Sequence, residues 1–271
     1  MFIDGNTIPS NRVIETDLCI VGAGAAGITI ARELKNMPFR ISLIESGGLE
    51  YEDKNQSLLE GGQIGITTDD PAVNRLRFFG GTTNHWGGRC RPLDKMDFEK
   101  RDWVPDSGWP ISLRDLKPFY KRAHKVCQIS DVNYSTDYWL KKFDSNIYRK
   151  IPIQGEYLQT ISFLFSKPTR FGEAYRKELE ESKNITTYLN SNVVKINVGS
   201  NKNFSDSVGC KTLLGSEFLV RAKFVVLALG AIENSRILLA NNIGNQYDLV
   251  GRYFMQHPHV DENDLPAEES A

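Results

Sequence analysis

The 271-residue sequence predicts an α/β fold organised on a parallel sheet. Three observations carry that expectation. Residues 17–45, DLCIVGAGAAGITIARELKNMPFRISLIE, read as apolar strand, glycine turn, helix and second apolar strand. FVVLALG, residues 224–230, repeats the step from strand to glycine ahead of a helical AIENSRILLANN. Both apolar strands are continuous rather than alternating, as in parallel strands covered on both faces.

In the first unit, Gly22, Gly24 and Gly27 satisfy the pattern G-x-G-x-x-G between the strand LCIV and a helix expected over 25–36. Ile28, Ala31 and Leu34 have helical spacing, and Asn36 through Pro38 supply the stop. ISLI, 41–44, is the next strand and Glu45 stands at its end. In that context Gly22 permits a tight turn, Gly24 lets backbone approach a pyrophosphate, and Gly27 lets helix and strand pack closely. Glu45 would accept hydrogen bonds from ribose hydroxyls. The unit is therefore a candidate dinucleotide site in a Rossmann-like, FAD/NAD(P)-binding fold, with phosphate facing the start of the helix. Glu45, with no basic residue recognised for a 2′-phosphate, disfavours NADP and keeps NAD and FAD open.

Residues 46–110, rich in Gly, Asp and Asn, read as long loops with short helices, the kind of segment that carries function. In 113–129, Leu116, Phe119, Tyr120, Ala123 and Val126 mark one apolar helix face, with Pro118 expected in the first turn. Residues 131–156 show no period. A charged surface helix is expected over 172–182, two short strands over 185–198, and a β-rich portion around 190–222 inserted in the fold. The acidic 261–271 reads as a disordered tail.

Thirty-three Lys and Arg against 34 Asp and Glu leave a net charge of -1, so no overall field favours nucleic acid or an anionic membrane. An anionic ligand must be held locally. Four cysteines without a CxxC spacing argue for reduced thiols, against zinc or a disulfide framework. Neither a signal peptide nor an apolar run long enough to span a bilayer is visible, which gives a cytoplasmic expectation.

NRLRFFGGTTNHWGGRCRP, 74–92, resembles the flavin-binding segment of the glucose-methanol-choline (GMC) oxidoreductases, nearest the branch of sugar dehydrogenases and pyranose oxidase. VVLALGAIENSRILLANN, 225–242, and VGRYFMQHPH, 250–259, are similar to later segments of that family. The resemblance covers nearly all of 14–260, read as one FAD-binding domain with core segments 14–110 and 185–260 and intervening loops and helices over 111–184. It implies that Gly80, Gly81, Thr82, Thr83 and Asn84 wrap the pyrophosphate and flavin edge. By the same resemblance Val193 offers backbone to the adenine, and Ala228 and Gly230 lie beside pyrophosphate and ribityl. His85 matches the histidine that pyranose oxidase joins to the flavin 8α-methyl group. Members with a similar pattern hold FAD without that bond, so both readings of His85 stay open. Trp86 is expected to pack, and Cys90 to be a buried thiol.

The implied activity is oxidation of the CH-OH group of a small alcohol or sugar. A base takes the hydroxyl proton, hydride passes to flavin N5, and the electrons go on to oxygen, a quinone or a cytochrome. The family's catalytic histidine lies in a C-terminal part that finds no match here, so no catalytic residue is assigned; His257 and His259 read as polar loop residues. The expectation is accordingly a truncated or N-terminal part lacking the substrate half, or a non-catalytic FAD-binding subunit that needs a C-terminal partner chain. An NAD-dependent dehydrogenase is the alternative, and it leaves FFGGTTNHWGG unexplained.

Overall fold

The computed structural model describes residues 1–65, 70–143, 147–150, 152, 159–199 and 205–255. Its chain begins with β1 (Phe2–Asp4), β2 (Arg12–Val21), α1 (Ala25–Glu33) and β3 (Ile41–Ile44). A long excursion follows, holding α2 (Asp53–Gln56), α3 (Pro71–Asn74), β4 (Arg89–Cys90), α4 (Leu113–Val126), α5 (Thr136–Lys142) and β5 (Leu164–Phe165). The chain returns through α6 (Phe171–Glu180), β6 (Ile185–Leu189), β7 (Asn192–Val198), β8 (Ser205–Lys211), β9 (Glu217–Leu227) and α7 (Ala231–Ala240).

Seven strands form one sheet in the order β1-β6-β3-β2-β9-β8-β7. The pairings from β1 to β9 are parallel, and β9, β8 and β7 continue as an antiparallel meander. Side chains alternate along β2, sending Cys19 and Val21 into a core with Val208, Val220 and Ile237, and Leu18 and Ile20 into a second core with Ile28, Leu43 and Leu179. A central strand with two buried faces needs apolar residues at every position, and all four residues of β3 are buried. The continuous apolar runs thus report sheet position.

The inserted β-rich portion is present as expected and extends the same sheet, because β9 is an 11-residue strand that pairs β8 over Glu217–Arg221 and β2 over Phe218–Leu227. Other expectations shift. Phe2–Asp4 joins the sheet beside β6, ahead of the expected start at 14. Helix α1 ends at Glu33, short of 36, where Asn184 Nδ2 donates to the Leu34, Met37 and Phe39 carbonyls at 3.0–3.1 Å and so supplies acceptor-satisfying contacts to the turn. Pro118 lies inside α4 rather than in its first turn, removing the N–H that would meet the Arg114 carbonyl. None of α4's apolar stripe is fully buried, and Phe119 is 57% exposed. Helix α6 is more than a surface helix, since Phe171, Tyr175 and Leu179 are core residues. Part of the unassigned 131–156 is α5; His257, His259 and 261–271 lie outside the described residues. Among the described residues no helix is long and apolar enough to cross a membrane.

Asn184→Ala leaves the Met37 and Phe39 carbonyls at the α1–β3 turn without their donor, while the Leu34 carbonyl keeps the Met37 N–H. A loss of about 1–3 kcal/mol in urea unfolding is expected, with faster amide exchange at the end of α1.

Candidate functional site

The two glycine clusters touch. Gly80 N–H donates to the Ala23 carbonyl at 2.9 Å, and a Cβ on Gly81 would stand 3.1 Å from Gly24 Cα. The glycines of the first turn answer to different constraints. Gly22 has φ +101°, and a Cβ there would lie 2.6 Å from the Ala228 carbonyl oxygen; a Cβ on Gly27 would lie 1.9 Å from the Gly22 oxygen. Both are demanded by the protein's own packing. Gly24 has φ -83° and a Cβ on it would meet nothing within 4 Å. The room beside Gly24 is a cleft of about 320 Å³.

That cleft brings together Gly22, Gly24, Glu45, Gly81, Thr82, Thr83, Ala228 and Gly230 from the sequence-derived set. Helix α1 starts at it from Gly24 and helix α7 from Gly230, each without a side-chain cap on its first N–H groups. Two uncapped helix starts facing one space favour an anion there, by about 0.3–1 kcal/mol each and more when partly buried.

Glu45 is 6% exposed. Its Oε2 accepts the Ala23 N–H at 2.8 Å and its Oε1 the Gly47 N–H at 3.0 Å, so the carboxylate braces the glycine turn as well as facing the cleft. Burial lifts its pKa above the ordinary carboxylate value, against the opposing pull of the Gly47 and Ala23 N–H groups and of nearby Arg77.

Four wall residues escaped the sequence reading: Ser46, Arg75, Arg77 and Glu233. The arginines correct the expectation that no basic residue stands near. Arg77 is largely occupied: Nε donates to Ser46 Oγ at 2.6 Å, Nη2 to Asn192 Oδ1 at 3.4 Å, and Nη1 pairs with Glu233 Oε2 at 3.3 Å. Arg75 Nη1 is buried without a hydrogen-bond partner. The available signal was their place just ahead of Gly80 and Gly81.

Apart from Thr83, which lines the cleft, the other predicted residues lie off its wall. Gly27 packs helix on strand, and Gly80, at φ +99°, holds the contact between the clusters. Asn84 Nδ2 donates to the Phe79 carbonyl, and the Thr83 hydroxyl donates to the Gly80 carbonyl while taking the Phe171 N–H, so both brace the second loop. Val193 is 8% exposed and belongs to the core. His85 is exposed, with Nε2 3.1 Å from the Asn74 carbonyl. Trp86 packs edge-on against Phe171 and donates to the Thr169 carbonyl. Cys90 is only half-buried, being in strand β4 of the two-stranded ribbon β4–β5, and all four cysteines are free. Among the described residues no histidine lines the cleft and no cluster of His, Cys, Asp or Glu could hold a metal ion.

The parallel sheet with glycine turns at its carboxyl edge is the architecture of the α/β dinucleotide-binding folds. No family model matches the chain. The 6'''-hydroxyparomomycin C oxidase of Streptomyces lividus is 29% identical over 118 residues, 39% of this chain and 21% of that oxidase. Pyridoxine 4-oxidase from Mesorbium loti has the same fold at a TM-score of 0.50 and 17% identity, over 84% of this chain and 52% of its own. Formate oxidase of Aspergillus oryzae, in a variant made to study FAD modification, matches at a TM-score of 0.50 and 16% identity, over 89% and 50%. The chain thus spans about half the length of these structures. These structural neighbours are GMC oxidoreductases, and this chain shares a mainly parallel α/β fold with about half of each.

Two outcomes follow from the geometry. Gly27→Ala forces a Cβ against backbone and is expected to cost about 3 kcal/mol or more, whereas Gly24→Ala costs less than about 1 kcal/mol in the ligand-free protein; chemical denaturation of the pair checks this. The folded state binds the Glu45 proton more tightly than the unfolded chain does. Its contribution to stability is therefore full below the ordinary value of 4.5 and is lost as pH rises through the raised value. The stability of wild type relative to Glu45→Gln should accordingly fall from acid to neutral pH in urea titrations.

Proposed function

We propose that this chain holds FAD and forms the cofactor-binding part of a GMC-type oxidoreductase acting on the CH-OH group of an alcohol or sugar. The observation that carries the reading is the convergence of two uncapped helix starts and the Gly80–Gly81 loop on one cleft, with Glu45 in its wall. An NAD site of this type needs only the first glycine turn; the second loop, bonded to it through Ala23, is what the longer flavin dinucleotide would use.

The residues present fit the group. First-turn N–H groups of α1 and α7 hold the pyrophosphate, and Gly24, with no Cβ, leaves it room. A carboxylate has about four lone-pair sites, so Glu45 retains capacity for ribose hydroxyls beyond its two backbone donors. When bound, FAD supplies the acceptor for a hydride. The described residues are assigned cofactor binding, and the base that takes the hydroxyl proton is assigned to residues outside them. The three similar proteins named above are oxidases, which favours oxygen as the electron acceptor.

A second polypeptide segment belongs to the same reading. Among the described residues, β8 pairs β9 over Glu217–Arg221, whereas β2 follows β9 to Leu227, and Phe224 is 71% exposed along the remaining edge. An open, apolar strand edge is a pairing site, and a further strand docked there would complete the sheet.

Purified protein is expected to be yellow and to release FAD on denaturation. Gly24→Val should lose the flavin while keeping the unfolding midpoint of the ligand-free protein. A colourless protein that binds NAD with micromolar affinity, about -8 kcal/mol, would overturn the reading in favour of an NAD-dependent dehydrogenase. Acid precipitation separates the two readings of His85: colour kept in the pellet means a covalent bond, and colour in the supernatant means none.

A further inference from the structure

A second cleft, of about 920 Å³, lies between α4 and the segments 91–94 and 132–134 and shares no lining residue with the dinucleotide cleft. One side is apolar, with Leu93, Leu113, Pro118 and Val132 beside the rings of Tyr120 and Tyr134. The other is cationic. Arg114, Lys117 and Lys121 recur at helical spacing on one face of α4, and among the described residues none of them has an ion-pair partner. Among the described residues Asp94 is the only acid in the lining, and it is already paired with Arg91 at 2.7 Å.

The wall also has unmet hydrogen-bonding capacity. Arg91 Nη2 reaches Asp94 and Nη1 reaches the Ser162 carbonyl, but Nε is buried without a partner. His124 meets the Tyr134 hydroxyl at 2.8 Å through Nε2, and its Nδ1 is buried without a partner. Burial holds His124 below the ordinary imidazole range, so the positive charge of this face comes from the arginines and lysines. A solvated helix face explains three exposed cations; it does not explain an apolar recess beside them with orphaned polar atoms in its wall.

We propose that this cleft binds a small amphipathic anion, an aromatic or acyl body carrying a carboxylate. The body lies on Leu93, Pro118 and Val132. The carboxylate faces Lys117 and Lys121, with Arg91 within its field. Such an anion covers apolar surface and neutralises charges that now repel one another along α4. The assignment is independent of the flavin reading.

Calorimetric titration of the purified protein with 4-phenylbutyrate and with its uncharged counterpart, 4-phenylbutyramide, tests it. Saturable one-site binding is expected, with the carboxylate about tenfold tighter than the amide. Lys117→Glu/Lys121→Glu, at two exposed positions that leave packing intact, should erase that preference and leave amide affinity unchanged. Val132→Trp, which fills the recess, should weaken both probes by about tenfold. Equal affinities in the wild type, no saturable binding, or carboxylate binding untouched by the paired glutamates would each overturn the proposal. FAD content measured on the same samples keeps the two readings apart: carboxylate binding without flavin supports this site and counts against the other.

Discussion

One backbone contact organises the molecule: the Gly80 N–H on the Ala23 carbonyl, with Gly81 so close to the first turn that a Cβ on it would stand 3.1 Å from Gly24 Cα. It joins a turn made by residues 22–27 to a loop that arrives after an excursion of more than a helix's length. Everything around it serves that approach. Gly172 at the start of α6 lies against the Phe79 carbonyl, where a Cβ would stand 2.4 Å away, and Gly47 lies against Arg77, where a Cβ would stand 2.1 Å away. Backbone packed on backbone in this way leaves no freedom for larger side chains. The cleft is what remains open where those glycines face outward.

Electrostatics follows from the same geometry. Glu45 is drawn into the protein by two backbone N–H groups, and Arg77 reaches from the second loop to Ser46, Asn192 and Glu233, tying the ends of β3, β7 and α7 together. A buried arginine with three acceptors is more a strut than a free cation, because removing any partner leaves charge without compensation. The cleft wall is therefore rigid before any ligand arrives, which reduces the ordering that binding requires. The second cleft, under α4, has the opposite character: exposed, unpaired cations beside an apolar recess.

The fold limits what its likeness to other proteins can say. A parallel sheet with ligands at its carboxyl edge serves many chemistries, and the resemblance to pyridoxine 4-oxidase and formate oxidase is one of fold. Cofactor, substrate and acceptor rest on the site. Within it, the glycines and Glu45 shape the cleft on which the dinucleotide proposal rests.

Local pattern was enough for the strand-turn-helix-strand of 17–45, for β9 into α7, and for the three glycines with Glu45. These depend on residue periodicity and on glycine's lack of a side chain, both of which are written in adjacent residues. The three-residue β1, the early end of α1 and the placement of Pro118 were not legible in that way. They are decided by partners far along the chain, Thr187 to Leu189 for β1 and Asn184 for α1, or by packing that overrides local preference. The same division runs through the site. Sequence alone determined that Gly22, Gly24 and Gly27 form a turn; only the tertiary structure decided that Gly22 and Gly27 answer to backbone and Gly24 to open space. Sequence named Val193, Asn84 and His85, and the fold set them in the core, the loop brace and the surface. It also brought in Arg75, Arg77, Ser46 and Glu233, because a cleft wall is assembled by chain segments whose spacing in sequence carries no trace of their distance in space.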